Sequence, residues 1–154
     1  MTVNRTGLRE KGGPGVSDIM AFMKWEDKYL IQIHIIDEQH QRLFEMIDTF
    51  YDLLRARETK RAMAEILQGL ADYAEYHFHS EETLMILHHY PRLREHQNTH
   101  RQFNETVAEF RTRFERGQLL LPLELADFLK DWLSQHILVT DKEYAPFLLA
   151  KGVK

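Results

Sequence analysis

Apolar residues recur at intervals of three and four along most of the chain, the spacing that places them on one face of a helix. Leu43 and Ile47 begin the first such run. Pro91 and Pro122 stand where the third and fourth runs begin, a position that proline favours, and Gly117 follows the third run as a natural stop. The pattern predicts four helices, over about residues 38–57, 60–88, 92–116 and 122–140.

Short links join these four amphipathic segments, so neighbouring helices should run in opposite directions. The sequence therefore predicts an all-α fold, an antiparallel four-helix bundle of up-down-up-down topology. We expect Asp37 to cap the N-terminus of the first helix. After the fourth helix we expect a short cap built from Tyr144, Pro146, Phe147 and Leu148.

The N-terminal region lacks the helical pattern. Residues 1–18 are mostly small or polar and include two adjacent glycines next to Pro14, so we predict a flexible tail. Residues 20–36 form an arm with apolar residues at alternate positions, which is typical of extended chain packed on one side. These positions are Tyr29, Ile31, Ile33 and Ile35. Residues 19–154 are then a single domain that includes the arm.

Composition narrows the functional class. The 154 residues carry 20 Lys and Arg against 24 Asp and Glu, a net charge of −4, so no basic surface should attract nucleic acid or anionic membranes. No apolar run reaches the roughly 18 residues of a membrane span, and no secretory signal is apparent, so we expect a cytoplasmic protein. The absence of cysteine excludes disulfides, thiolate catalysis and iron–sulfur ligation.

Every predicted helix carries histidine or carboxylate residues on its apolar face, where an unpaired charge would cost several kcal/mol. Two pairs, His77 with Glu81 and His96 with His100, are four residues apart, so the members of each pair point the same way. The whole set is His40, His77, Glu81, His96, His100, His136 and Asp141. Asp141 follows His136 by five residues, and it can share the face of His136 only if the helix loosens or ends there.

A metal centre would satisfy all of these residues together, whereas a single buried histidine is more often structural. Imidazole and carboxylate suit Fe, Mn, Co or Zn rather than Ca or Mg. Seven ligands exceed the need of one ion, which predicts a dinuclear site. Two six-coordinate ions offer about twelve positions, and five histidines, two bridging carboxylates and a bridging oxide or hydroxide leave one open for a small molecule.

The competing dinuclear bundle is the ferritin-like oxidase, which needs Glu-x-x-His motifs on two helices. No glutamate lies three residues before any histidine in this chain. A histidine-rich site also retains more positive charge than a carboxylate-rich one, which disfavours the high-valent iron of oxygenases. The donor set therefore favours milder chemistry, the reversible binding of a small molecule.

The same residues lie in stretches that resemble the bacterial hemerythrins, over about residues 22–148. The matching stretches are IDEQH, HFHSEE, HQNTH, WLSQHI and DKEY. The resemblance implies a non-haem di-iron centre, with two iron ions per chain, that binds O2. It implies that one ion is held by His96, His100 and His136, the other by His40 and His77, and that Glu81 and Asp141 bridge them. O2 would bind at the ion with two histidines.

The resemblance also implies an O2 pocket lined by Leu43, Phe78, Trp132 and Leu133. Helical spacing agrees for three of these, because Leu43 lies one turn after His40 and the last two lie one turn before His136. Ordinary core packing would explain them equally well. Many relatives have glycine where this chain has Gln32 in the arm. The remaining histidines, His34, His79, His88 and His89, are predicted not to be ligands.

The leading functional hypothesis is an O2-binding protein for storage, delivery or buffering, without an enzymatic activity. Similar domains occur in signalling proteins, so an O2 or redox sensing module is an alternative. A di-iron enzyme, such as a peroxidase or a protein that handles nitric oxide, and a simple iron buffer are two more. O2 is the one predicted partner, and the sequence identifies no protein partner. The behaviour of the O2-bound protein would distinguish these hypotheses.

Overall fold

Residues 24–118 and 121–154 are described by the computed structural model, and within these ranges all regular structure is helical. The elements are a 3-10 turn (Asp27–Tyr29), α1 (His34–Arg55), α2 (Thr59–Leu87), α3 (Leu93–Glu115), α4 (Leu121–Trp132), a π-helical segment (Leu133–Thr140) and α5 (Asp141–Ala150). The predicted tail, residues 1–18, lies outside the described residues.

Each helix packs against the next helix in the chain. α1 packs on α2, α2 on α3 and α3 on α4, while α5 also returns to α2. α4, the π-helical segment and α5 follow one another without a break and together form the fourth rod of the bundle. The predicted all-α four-helix bundle is therefore confirmed. None of the described helices is both long and apolar enough to cross a membrane.

Two clusters of buried apolar side chains form the core. The larger includes Phe78 and Ile137, and the smaller includes Met85 and Tyr144. Along α2, Glu81 lies between Phe78 and Met85, and along the fourth rod Asp141 lies between Ile137 and Tyr144. The buried polar residues thus form a layer between two apolar clusters, which pack the bundle on both sides of it.

The helix loosens before Asp141 instead of ending. In the π-helical segment Leu133–Thr140 the hydrogen bonds reach back five residues, and the backbone N–H of Asp141 donates to the carbonyl oxygen of His136. The wider turn brings Asp141 onto the face of His136. The predicted end near Thr140 was wrong, because α5 continues to Ala150 with Pro146 inside it. Pro146 cannot donate a backbone hydrogen bond within the helix. Burial of Tyr144 and Leu148 offsets this loss and stabilises the extension.

The arm also differs from the prediction. Its alternation holds at Tyr29, Ile31 and Ile33, which are buried, but α1 already begins at His34, and this leaves Ile35 43% exposed. Asp37 lies inside the first turn, so its predicted role as N-cap was wrong. Its carboxylate instead accepts the backbone N–H groups of Ile31 (2.8 Å) and Gln32 (3.0 Å), and this fixes the arm to the start of α1.

Gln32 adopts a left-handed backbone conformation, with φ of 66°. Such a conformation costs a residue with a Cβ atom about 1 to 2 kcal/mol, and glycine avoids this cost while losing more entropy on folding. We therefore expect Gln32→Gly to raise the free energy of unfolding by up to about 1 kcal/mol. Urea denaturation of the wild type and the variants, all in the same metal state, measures this change in the free energy of unfolding. Gln32→Ala is the control, and an equal gain from alanine would contradict this explanation.

Candidate metal centre

All seven residues predicted to bind metal converge in the buried polar layer. They come from α1, α2, α3, the π-helical segment and the first residue of α5, and none of them is more than 4% exposed. The set is His40, His77, Glu81, His96, His100, His136 and Asp141. The structure thus brings together every residue of the set that the sequence selected.

The ligand atoms fall into two groups that share one carboxylate. The three-histidine group consists of Glu81, His96, His100 and His136, and the two-histidine group of His40, His77, Glu81 and Asp141. Within each group the ligand atoms lie within 4.8 Å of one another, close enough for one ion to contact all of them. Each group could therefore hold one metal ion, and the two positions would be adjacent.

Glu81 turns one carboxylate oxygen towards each group. Its Oε1 lies 3.5 Å from Nε2 of His77, in the two-histidine group. Its Oε2 lies 3.1 Å from Nε2 of His96 and 2.9 Å from Nε2 of His100, in the three-histidine group. A carboxylate placed in this way can bridge two metal ions.

Asp141 divides its oxygens in the same manner. Its Oδ2 lies 3.2 Å from Nε2 of His40, whereas its Oδ1 lies 3.0 Å from Nε2 of His136 and 3.5 Å from Nε2 of His96. The π-helical turn makes this possible because it puts Asp141 on the face of His136. Both carboxylates thus place one oxygen beside histidines of each group, although only Glu81 is close to every ligand of both.

The protonation states of His77, Glu81 and Asp141 suit metal ligands, whereas Glu81 and Glu82 raise the pKa of His100 against the effect of burial. Burial lowers the pKa of His77 to about 3, so its ring is neutral at pH 7. Burial alone would raise the pKa of Glu81, but the nearby imidazoles of His77, His100 and His96 hold it well below its ordinary value. Burial and the charge of Glu81 would raise the pKa of Asp141, but the nearby imidazoles of His136 and His40 outweigh both and lower it to about 2.

Protein groups alone leave this cluster unsatisfied. Most of the buried polar side-chain atoms without a hydrogen-bond partner, among the described residues, belong to His40, His77, His100, His136 and Asp141. Each such buried atom costs about 1 to 3 kcal/mol if nothing contacts it. A cation would contact the histidine nitrogens and carboxylate oxygens together, so these residues fit the metal centre that the sequence predicts.

Two of the four predicted pocket residues contact ligand histidines, and the other two are buried in the neighbouring core. The ring of Phe78 stacks on His100, with centroids 3.8 Å apart, and the ring of Trp132 stacks on His136 at 3.9 Å. Leu43 and Leu133 are buried in the larger apolar cluster. Phe78 and Trp132 thus pack on ligands of the three-histidine group, although the resemblance implies O2 binding at the other ion.

Two tyrosines contact the site and were not predicted to belong to it. The hydroxyl of Tyr144 donates a 2.5 Å hydrogen bond to Oε1 of Glu81. The ring of Tyr73 stacks on His77, with centroids 4.8 Å apart, and its hydroxyl is buried without a partner. Helical spacing provides a signal for both, since Tyr73 precedes His77 by four residues and Tyr144 follows Asp141 by three.

Three further polar residues contact the outer nitrogens of the histidines. Gln39 lies against His77, Glu82 lies against His100, and Thr99 lies against His136. Each is next in sequence to a member of the ligand set, and their spacing gave no signal. The remaining histidines, His34, His79, His88 and His89, belong to neither group.

Comparisons with known proteins agree with the geometry. The family model described as the hemerythrin HHE cation-binding domain matches residues 32–148. A bacteriohemerythrin of Pseudomonas paraeruginosa is 38% identical over 125 residues, covering 81% of this chain and 80% of the relative. Bacteriohemerythrins of Clostridium acetobutylicum (32% identical; 78% of this chain, 96% of the relative) and Methylococcus capsulatus (30%; 85% and 100%) are also similar.

Proposed function

The chain belongs to the hemerythrin family, and from that premise we propose that it binds O2 reversibly at a non-haem di-iron centre. As a member of this family, the chain is a hemerythrin-type iron-binding domain. We propose further that two iron ions occupy each chain and that one of them takes up O2. Storage, delivery or buffering of O2 is then the function, without an enzymatic reaction.

The proposed ligands follow the two groups. His96, His100 and His136 hold one ion, His40 and His77 hold the other, and Glu81 and Asp141 bridge them. The division of carboxylate oxygens between the groups is the observation that carries this assignment. With both carboxylates shared, the two-histidine ion has one protein ligand fewer, and this supports O2 binding at that ion.

The five histidines and two carboxylates would hold a pair of ferrous ions, which would supply the electrons that reversible O2 binding needs. The protein's part is to hold the ligands and to exclude water. Leu43 and Leu133, both buried, together with Phe78 and Trp132, keep the apolar side of the site dry. The hydroxyl of Tyr144 donates a hydrogen bond to Oε1 of Glu81 and so restrains that carboxylate. A dry surrounding slows proton entry and favours reversible binding.

Anaerobic titration tests the proposal. Metal-free protein titrated with Fe²⁺ should bind two ions per chain, because the ligands exceed one coordination sphere. Addition of O2 should then give a visible absorption spectrum that disappears when O2 is removed. Elemental analysis and visible spectroscopy measure the two results. One iron per chain, or zinc in protein from iron-replete cells, would contradict the dinuclear iron centre.

The same experiment separates the other functions. A long-lived, reversible spectrum supports O2 carriage. Rapid conversion to the ferric form would support sensing or redox chemistry instead. Two bound iron ions with no response to O2 would indicate an iron buffer.

A further inference from the structure

The outer nitrogens of two ligand histidines have different kinds of hydrogen-bond partner. Nδ1 of His77 lies 2.8 Å from Oε1 of Gln39, a neutral amide. Nδ1 of His100 lies 2.7 Å from Oε1 of Glu82, a carboxylate. His77 belongs to the two-histidine group and His100 to the three-histidine group. The two metal positions therefore differ in the hydrogen-bond partners of their ligands as well as in the ligands themselves.

A chain of hydrogen bonds fixes the amide of Gln39. Ser80 donates its hydroxyl proton to the carbonyl oxygen of Tyr76 (2.9 Å), so its oxygen accepts from Nε2 of Gln39 (3.0 Å). Oε1 of Gln39 must then face His77 and accept the proton of Nδ1. This leaves Nε2 of His77 with a free lone pair directed at Glu81 and the metal position.

Glu82 is held in a comparable way between α2 and α3. Its Oε2 accepts a hydrogen bond from Nε2 of Gln97 (2.9 Å), and its Oε1 accepts the Nδ1 proton of His100. The side chain is only one quarter exposed. Because a carboxylate can only accept, Nδ1 of His100 carries the proton and Nε2 is the ligand atom.

We propose that Glu82 and Gln39 are positioning residues that tune the two metal positions differently. Both fix the orientation and tautomer of a ligand histidine, but only Glu82 adds negative charge. A carboxylate that accepts the Nδ1 proton makes the imidazole a stronger donor, which favours the higher charge of a bound ion. The three-histidine ion is then the easier of the two to oxidise. This inference rests on the proposed metal centre but not on O2 binding.

Titration of the metal-free protein with Co²⁺ tests the positioning role without O2 or redox chemistry. Glu82→Ala should weaken binding about 10- to 100-fold at one of two sites, the usual effect of losing such a partner. Gln39→Ala should weaken the other site to a similar extent. The control Glu75→Ala removes an exposed carboxylate from the same helix and should leave both affinities unchanged.

A His77→Ala background assigns each effect to a site. This variant keeps the three-histidine group, so Glu82→Ala should still weaken the remaining Co²⁺ site, whereas Gln39→Ala should no longer have any effect. Wild-type affinity at both sites in Glu82→Ala would overturn the proposal. Failure of the wild-type protein to bind two Co²⁺ ions would overturn the metal centre as well, so the two failures are distinguishable.

Glu82→Gln separates charge from orientation. Its amide oxygen can still accept the Nδ1 proton of His100, so Co²⁺ affinity should stay close to that of the wild type. In the iron-loaded protein, where each ferrous ion gives one electron to a mediator dye, the midpoint potential of the first oxidation should shift to a more positive value. An unchanged potential, relative to Glu75→Gln, would overturn the proposed effect of the charge.

Discussion

Replacing Glu81 with alanine should abolish stoichiometric iron binding at both metal positions. One oxygen of this carboxylate faces His77, and the other faces His96 and His100, so a single substitution removes a ligand from each group. The folded bundle should survive, because the change also removes a buried charge and leaves two groups, the hydroxyl of Tyr144 and Nε2 of His96, without their hydrogen-bond partner, at a cost of about 1 to 3 kcal/mol each. Elemental analysis of reconstituted protein, with circular dichroism as a check on folding, measures the outcome.

Two comparisons make this result specific. Glu75→Ala removes an exposed carboxylate from the same helix and should retain two iron ions per chain. His77→Ala removes a ligand from the two-histidine group alone and should lose one ion, whereas His79→Ala, an exposed neighbour, should lose none. Retention of two ions by Glu81→Ala would mean that this carboxylate does not bridge.

Leu133→Ala should accelerate autoxidation of the oxygenated protein. Leu133 is almost fully buried and lies one turn before His136, so its truncation enlarges the apolar side of the site and admits water. The substitution should also cost about 2 to 5 kcal/mol of stability, as other truncations of a buried leucine do. Stopped-flow or conventional visible spectroscopy gives the rate of autoxidation, and urea denaturation gives the loss of stability.

Leu129→Ala distinguishes a pocket wall from ordinary packing. Leu129 is equally buried in the same apolar cluster but lies one turn farther from His136. Its truncation should therefore destabilise the bundle to a similar extent with less effect on autoxidation. Equal autoxidation rates in the two variants at comparable stability would assign Leu133 to the core and remove it from the pocket.

The regular parts of the site could be predicted from sequence because they follow the geometry of an ordinary α-helix. His77 with Glu81, and His96 with His100, keep a spacing of four within α2 and α3, so one helical face carries both members of each pair. The bundle itself follows from the same periodicity. The predicted helix ends agree less well with the structure. α1 begins four residues before its predicted start, directly after Ile33, which is in an extended conformation.

The rest depends on contacts that periodicity does not encode. Asp37 resembles an N-cap in sequence, but its carboxylate accepts two N–H groups of the arm, and only the folded arm brings them there. Gln39 and Glu82 contact histidines on other helices, 38 and 18 residues away in sequence. Such partners depend on how neighbouring helices are rotated against one another, which a single sequence pattern does not specify.

The π-helical segment makes the placement of Asp141 depend on how many residues separate it from His136. Four residues, Ile137, Leu138, Val139 and Thr140, separate His136 from Asp141. In an ordinary α-helix that interval would turn Asp141 about 140° away from His136. The wider turn cancels this rotation whatever the identity of an exposed residue such as Val139. The placement of Asp141 is therefore set by the number of residues in the interval and not by the identity of its exposed members, so substitution of Val139 should preserve it, whereas insertion of one residue should turn Asp141 away from His136.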